Sequence, residues 1–141
     1  MIERVIRDRL RAEFQITLPR FDLMSQLARS PHGLKMNELS QLMMVTGGNV
    51  TGLTDQLEAE GLVKRSALAN DRRAWRVQLT TRGRKTFSGM AQAHERWIAE
   101  LLDASKPADQ QSLYTALGGL KTAVQSKRVD VANRITTTKS P

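Results

Sequence analysis

The chain has 141 residues, of which 40% are apolar and only 4% aromatic, and its formal net charge is +8. This length favours one domain, and the scarcity of aromatic residues predicts an aliphatic core built from helices. Cysteine is absent, which excludes disulfides, thiolate nucleophiles and zinc fingers, and no apolar run resembles a membrane span or a signal peptide, so we expect a cytoplasmic protein with no membrane partner.

Two helices are predicted at the start of the chain. Apolar residues recur at steps of three and four from Ile2 to Phe14, which indicates an amphipathic helix. Pro19 opens a second helix, because its missing N–H costs nothing in a first helical turn. Residues 31–33, Pro-His-Gly, end that helix.

A pair of helices joined by a tight turn follows. The first covers residues 36–44; either Asn37 caps it or Met36 already lies in its first turn. Its inward stripe is Leu39, Leu42 and Met43. The second runs from about residue 48 to 60, and Gly61 stops it. Its inward stripe is Val50, Leu53 and Leu57.

This pair has the pattern of a helix-turn-helix, in which the second helix enters the major groove of DNA. An ordinary helical hairpin with a polar outer face is the alternative. Asparagine can pair with adenine, threonine can meet a base edge or a thymine methyl group, and glycine permits close approach. The candidate DNA contacts on this segment are Thr46, Gly48, Asn49, Thr51, Gly52 and Gln56.

Two short, basic strands are predicted next, over residues 62–68 and 74–79. The second alternates clearly, with Trp75, Val77 and Leu79 on one face. Residues 61–85 hold eight basic side chains and one acid, a net charge of +7. A cationic patch beside a helix-turn-helix pattern is the electrostatic footprint of a nucleic-acid binder, and it favours the DNA-binding interpretation of the helix pair.

The candidate DNA contacts on the hairpin are its basic residues and its single acid. The cations are Lys64, Arg65, Arg72, Arg73 and Arg76, and we expect them to meet phosphates or a narrow minor groove. Asp71 is expected to orient an arginine through charge-assisted hydrogen bonds. The alternative is a solvated turn with a surface ion pair worth at most ~1 kcal/mol.

The last third of the chain is again helical. Thr80 is the predicted N-cap of a helix over residues 81–103. Its apolar seam has 3-4-3-4 spacing, typical of helix–helix packing, and consists of Phe87, Met90, His94, Trp97 and Leu101. A final helix starts near Pro107, with an inward stripe of Leu113, Leu117, Leu120 and Val124. These apolar stripes are larger than one small helical layer can bury, so we expect a second subunit to cover them. Residues 127–141 are expected to form a disordered basic tail.

His94 lies within the seam, either as a buried histidine hydrogen-bonded across a helix interface or as a ligand-contacting, pH-sensitive group. The chain has two histidines, and no acid cluster accompanies them. No metal and no cofactor are therefore expected. There is no phosphate loop, no histidine paired with a nucleophile and no convincing carboxylate pair, so we do not expect an enzyme.

The run LSQLMMVTGGNVTGLTDQLEAEGLVKR, followed by NDRRAWRVQLTTRGR, resembles the multiple antibiotic resistance regulator (MarR) family of winged-helix repressors. The family pattern, Asp-x-Arg, a short strand and Leu-Thr-x-x-Gly, is met by Asp71, Arg73, Leu79, Thr80 and Gly83. The resemblance covers roughly residues 2–125. It implies a mainly α winged helix-turn-helix with a small β-hairpin wing, dimerising through its N- and C-terminal helices.

The resemblance also implies an organisation. A single MarR-like domain would span residues 1–126, with a winged-helix part over about 19–80 and a helical dimerisation part formed by 1–18 and 81–126. The first helix begins at Met1, where family members commonly carry more residues before it, so a trimmed dimer surface is expected. The absence of cysteine excludes the family's thiol-oxidation branch.

The partners that the resemblance implies are a second copy of the chain in a homodimer, double-stranded DNA with a pseudo-palindromic operator, and a small effector. For many members the effector is an aromatic acid or its coenzyme A thioester, which releases the protein from DNA. The candidate effector-binding residues are Arg11, Phe14, Phe21, His94 and Trp97.

A ligand-responsive, sequence-specific transcriptional repressor is the leading hypothesis. One alternative is a winged-helix DNA-binding or architectural protein with no small ligand. Another is a winged helix that serves as a protein-interaction module, although such a module has no need of so basic a hairpin. The sequence does not separate the first two.

Overall fold

The computed structural model describes residues 1–103, 106–120 and 122, with the Arg72 side chain outside the description. The elements are α1 (Ile2–Phe14), α2 (Leu18–Ala28), β1 (Leu34–Lys35), α3 (Met36–Met43), α4 (Gly47–Ala59), β2 (Val63–Leu68), β3 (Asp71–Leu79) and α5 (Thr81–Asp103). Residues 107–120 are also helical. The prediction of a mainly α protein with a small β-hairpin is confirmed. The chain divides into two units after Ile98.

The helix boundaries follow the predicted signals closely. Of the two alternatives for the start of α3, Asn37 is not the cap, and Met36 lies in the first turn. The helix begins at Met36, the predicted first residue, with Lys35 as its N-cap, and the Glu38 carboxylate accepts the backbone N–H of Lys35 at 2.7 Å and also meets the positive end of the helix. Helix α4 begins one residue earlier than predicted, at Gly47, and the Thr46 hydroxyl accepts the N–H of Asn49 at 3.4 Å.

The core of the first unit is aliphatic, as the composition predicts. Its fully buried side chains are Leu10, Leu23, Met24, Leu27, Leu39, Met90, Leu57, Val50, Val63, Val77 and Thr54. The prediction that Leu42 faces inward is wrong, because it is 53% exposed, and Met43 and Leu53 are only half-buried. Thr54 occupies the core instead, and burial costs it little because its hydroxyl donates to the Val50 carbonyl at 2.7 Å.

The sheet has three antiparallel strands in the order β1-β3-β2. The sequence does not predict the two-residue strand β1, since two residues carry no alternation. It pairs Leu34 with Val77, and Gly33 precedes it at φ 80°, where an added Cβ would lie 2.5 Å from the Val77 carbonyl oxygen. In β3, Val77 and Leu79 are buried as predicted, whereas Trp75 remains 45% exposed because it lies nearer the hairpin tip and lines an open cleft.

The start of α5 explains the Leu-Thr-x-x-Gly pattern. The Thr80 hydroxyl accepts the N–H of Gly83 at 2.9 Å, which confirms the predicted cap, and it donates to the Gly61 carbonyl at 2.7 Å. The Thr80 N–H donates to the Leu62 carbonyl at 3.0 Å. A Cβ on Gly83 would lie 1.9 Å from that carbonyl oxygen. The residue at position 83 must therefore be glycine for α5 to dock against the α4–β2 turn.

The stripe predicted to face inward along residues 107–120 is exposed in the single chain. Leu113, Leu117 and Leu120 are 49%, 55% and 60% exposed, since no described part of their own unit covers them. Val124 and the predicted tail of residues 127–141 lie outside the described residues. No described helix has the length and apolar character needed to cross a membrane.

Candidate nucleic-acid interface

The outward face of α4 carries the predicted base-contacting residues. Thr46, Gly48, Asn49, Thr51, Gly52 and Gln56 are all exposed. The hydroxyls of the two threonines also serve the helix itself. That of Thr46 caps it, and that of Thr51 donates to the Gly47 carbonyl at 3.0 Å, so for interaction with a groove Thr51 retains its methyl group and its oxygen lone pairs.

Three glycines lie on this helix without any steric need within the protein. A Cβ added at Gly47, Gly48 or Gly52 would find no described atom within 4 Å. Glycine in a helix interior costs roughly 1 kcal/mol relative to alanine. Gly52, which lies in the interior of α4, therefore lowers the stability of the helix, and the bare backbone at the three positions suits close approach by a surface from outside the protein.

Around the hairpin turn, the Asp71 carboxylate accepts the backbone N–H of Arg73 at 2.9 Å. The interaction is with the backbone of the arginine, whereas the sequence predicts one with its guanidinium, and it shapes the turn as aspartate side chains commonly do. The side chains of Lys64 and Arg73 are exposed. That of Arg72 lies outside the described residues.

Two of the predicted phosphate-binding residues are held by the protein itself. The Arg65 side chain is 21% exposed and pairs with Asp55 and with Glu58, the latter at 3.2 Å. Glu58 also accepts the backbone N–H of Arg65 at 3.1 Å. The guanidinium of Arg76 donates to the carbonyl of His32 at 3.1 Å. The +7 charge of residues 61–85 is thus partly compensated, and Arg65 joins β2 to α4.

Four of the five residues predicted to bind an effector form two pairs of contacting rings. The Phe14 and Trp97 ring centroids are 6.1 Å apart, and those of Phe21 and His94 are 5.2 Å apart. Phe21 and Trp97 are buried, whereas Phe14 and His94 are half-buried. Arg11 is exposed on α1.

Two features of this region are not evident from the sequence. Arg9, on α1, lies over the Trp97 ring at 5.8 Å from its centroid, whereas the sequence suggests Arg11 as the candidate cation. Burial raises the pKa of Asp22, although the positive charge of His94 opposes that shift. Helical spacing alone does not show which of several surface charges on α1 and α2 packs against a neighbouring helix.

A cleft of about 370 Å³ opens beside these residues and contains only Phe14 of the five predicted. We call it the Arg20 cleft, because Arg20 lies in its lining and pairs with Glu60. The two charges are forty positions apart, so no local motif could have linked them. Within the described residues, no group of three or more histidine, aspartate or glutamate side chains could hold a metal ion.

Comparison with known proteins gives consistent results. Residues 16–75 match the model of the MarR family. YfiV, an uncharacterized HTH-type transcriptional regulator of Bacillus subtilis (strain 168), is 35% identical over 98 residues, which cover 69% of this chain and 61% of that protein. The chain thus spans about three fifths of YfiV, and it spans less than half of other curated relatives that it matches.

Two solved structures extend the likeness. The crystal structure of a MarR family transcriptional regulator from Silicibacter pomeroyi is 35% identical, with a TM-score of 0.72 and coverage of 87% of this chain and 84% of that one. The MepR–DNA complex from S. aureus shares the fold at 21% identity, with a TM-score of 0.74 and coverage of 86% and 89%.

Proposed function

The chain belongs to the MarR family of transcriptional regulators, and from that premise we propose that it binds duplex DNA through α4 and the β2–β3 hairpin and represses transcription. The observation that carries this proposal is the bare glycine backbone of α4, which no contact with a described residue explains. Exposed Lys64 and Arg73 lie on the adjacent hairpin. A structure of this fold, MepR of S. aureus, has been solved bound to DNA.

We propose further that the protein acts as a homodimer. The exposed leucines at positions 113, 117 and 120 form an apolar surface that a second copy would cover. Two-fold symmetry would then require a pseudo-palindromic operator, with half-sites about one helical turn, ~34–36 Å, apart.

A small aromatic acid, or its coenzyme A thioester, is the proposed effector. Its support is membership of the family, where such ligands are common. A ligand acts only through a difference in affinity between the DNA-bound form and other forms, typically ~1–3 kcal/mol of coupling. The second candidate is a regulator that needs no ligand, and the ring contacts of Phe14 with Trp97 and of Phe21 with His94 support it, because these rings already pack against each other.

Selection from a pool of random DNA duplexes tests the central proposal. The purified protein should enrich duplexes that share two inverted half-sites, and fluorescence anisotropy should then show tighter binding to the selected duplex than to a scrambled one. A pool that shows no enrichment, or one in which single unpaired half-sites dominate, would contradict the proposed mode of binding.

A further inference from the structure

The helix pair proposed to meet DNA contains no basic side chain of its own. Residues 36–62, from the start of α3 to the residue before β2, include no lysine and no arginine. Their charged side chains are four acids, Glu38, Asp55, Glu58 and Glu60. The eight basic side chains of the hairpin region all follow, at positions 64–85. Contacts that neutralise phosphate charge must therefore come from outside the helix pair, which is left with uncharged groups for the groove.

The absence of a cation restricts which bases α4 can read. In the major groove guanine presents two acceptors, O6 and N7, and its usual partner is an arginine or a lysine. Arg65 is a cation that contacts α4, but its side chain is only 21% exposed and pairs with Asp55 and Glu58. Both terminal nitrogens of its guanidinium are engaged by these carboxylates, so bidentate pairing with guanine would require both ion pairs to break.

Asn49 can pair with a base at two points. Its side chain lies in the first turn of α4 and is exposed. The amide offers a donor and an acceptor, which match the N7 acceptor and the N6 amino group of adenine. The Thr46 hydroxyl accepts the backbone N–H of Asn49 at 3.4 Å, so the amide extends from a capped helix end. Such a helix end is where a helix-turn-helix contacts base edges.

Thr51 lacks the donor that guanine would need. Its hydroxyl donates to the Gly47 carbonyl at 3.0 Å, which leaves its methyl group and its oxygen lone pairs for the groove. The methyl group matches the methyl group of thymine, and a lone pair can accept from the N6 amino group of adenine. Gly47, Gly48 and Gly52 bring no side chain at all. The amide of Asn49 and the methyl group of Thr51 thus both favour A·T pairs.

Asp55 is the candidate for reading a G·C pair, because a carboxylate can accept from the N4 amino group of cytosine. One of its oxygens, Oδ1, is already engaged by Arg65. It also lies in the second half of α4, whereas a helix-turn-helix reads base edges with the N-terminal residues of its second helix. Asp55 is therefore less suited to base contact than Asn49.

We propose that the N-terminal half of α4 reads A·T pairs in the major groove, with the Asn49 amide on adenine and the Thr51 methyl group against thymine. The inference rests on the proposed function and adds to it the base composition of the half-site. The hairpin supplies the positive charge for affinity, and the uncharged face of α4 supplies the discrimination between bases.

Selection with a variant locates the base pair concerned. Asn49→Ala replaces an exposed helical residue by a better helix former, so the protein should fold. Selection from random duplexes should give the same half-site as the wild type, except that the preference at one A·T pair is lost. Gln92→Ala removes an exposed amide from α5 and should leave every preference in place. If Asn49→Ala relaxes the preference at no pair, Asn49 reads no base and the proposal is overturned.

Two base analogues then show which groove is read at that pair. Inosine·cytosine has the major-groove pattern of G·C and the minor-groove pattern of A·T, and diaminopurine·thymine has the converse. In anisotropy, inosine·cytosine should weaken wild-type binding roughly tenfold, whereas diaminopurine·thymine should leave it unchanged. Asn49→Ala should bind the parent duplex and the inosine duplex equally well. Weaker wild-type binding with diaminopurine alone would place the A·T preference in the minor groove and overturn the proposal.

The selected half-site also separates this inference from the proposed function. A guanine or cytosine at the pair that Asn49→Ala alters would overturn the inference alone. A half-site with a G·C preference that Asp55→Asn removes, and with no preference that depends on Asn49, would do the same and assign the reading to the carboxylate. A protein that binds no duplex at all would overturn both the inference and the proposed function.

Discussion

A substitution at Gly52 should have opposite effects on the stability of the protein and on its affinity for DNA. It lies inside α4 with open space around the position of its missing Cβ. Gly52→Ala should therefore raise the free energy of unfolding by about 0.5–1 kcal/mol while weakening binding to the selected duplex. Chemical denaturation and anisotropy measure the two effects.

Gly89→Ala is the matched control for Gly52, because Gly89 is also an exposed helical glycine with no described atom within 4 Å of an added Cβ. It should stabilise the protein to a similar extent and leave DNA affinity unchanged. If Gly52→Ala also left DNA affinity unchanged, the bare face of α4 would not be the DNA surface.

Arg73 is the residue at which the charge of the hairpin can be tested. Its side chain is exposed, and its backbone is fixed by Asp71. Arg73→Ala should weaken DNA binding and reduce the slope of log affinity against log salt by ~0.9 for each phosphate that the variant no longer neutralises. Anisotropy across a salt series measures the slope. Arg96 is an exposed arginine on α5, and Arg96→Ala should leave the affinity and the salt slope unchanged. Equal effects from the two variants would show that the DNA surface does not lie at the hairpin.

At the scale of elements, the approach of α5 to the α4–β2 turn depends on Gly83. The carbonyl of Leu62 lies where a Cβ would be, and backbone atoms cannot move aside as a flexible side chain can. Gly83→Ala should lower the free energy of unfolding by at least about 1–3 kcal/mol, whereas Gly89→Ala on the same helix should raise it. Chemical denaturation of both variants measures the two free energies of unfolding. A Gly83→Ala variant as stable as the wild type would show that α5 docks differently.

Where α2 packs near His94 on α5, Asp22 couples stability to pH. Partial burial of its carboxyl raises the pKa of Asp22 above 3.8 against the opposing charge of His94, and the residue as a whole remains exposed. A raised pKa in the folded state means that protonation stabilises the fold, fully below pH 3.8 and progressively less as pH rises through the folded pKa. Asp22→Asn should therefore be more stable than the wild type at pH 7, with the difference shrinking below pH 3.8. If Asp22→Asn and the wild type differed in free energy of unfolding by the same amount at pH 7 and below pH 3.8, Asp22 would not be the group that couples stability to pH.

The elements also show what can be predicted from the sequence. Helix periodicity locates α1, α2, α4 and α5 to within a residue or two, and the capping role of Thr80 follows from its type and place. Strand β1 cannot be predicted, because two residues form it through pairing with β3. The sequence leaves open whether Asn37 caps α3 or Met36 lies in its first turn, and the hydrogen bond from the Lys35 N–H to Glu38 decides for Met36. At the candidate interface the sequence predicts which types of residue are present, but it does not predict that Arg65 pairs with Asp55. The pairing of Arg20 with Glu60, outside the interface, is likewise evident only from the fold.

For the whole molecule, the exposed leucines at positions 113, 117 and 120 predict that two copies of the chain form a dimer. Leu117→Glu should place a charge in the centre of the proposed interface and convert the dimer to a monomer in sedimentation experiments at micromolar concentration. Leu42→Glu replaces a leucine of similar exposure on α3 and should leave the dimer intact. A wild-type protein that sediments as a monomer would contradict the homodimer.

The position of Arg65 has a consequence for how the protein meets a polyanion. Asp55 and Glu58 lie on the helix proposed to enter the groove, where bare carboxylates would repel phosphate. Arg65, on the neighbouring strand β2, forms ion pairs with both carboxylates. One guanidinium offsets one of the two negative charges, so the proposed recognition surface is partly neutralised before DNA arrives. An arginine can thus be essential for affinity on such a surface without touching a single phosphate.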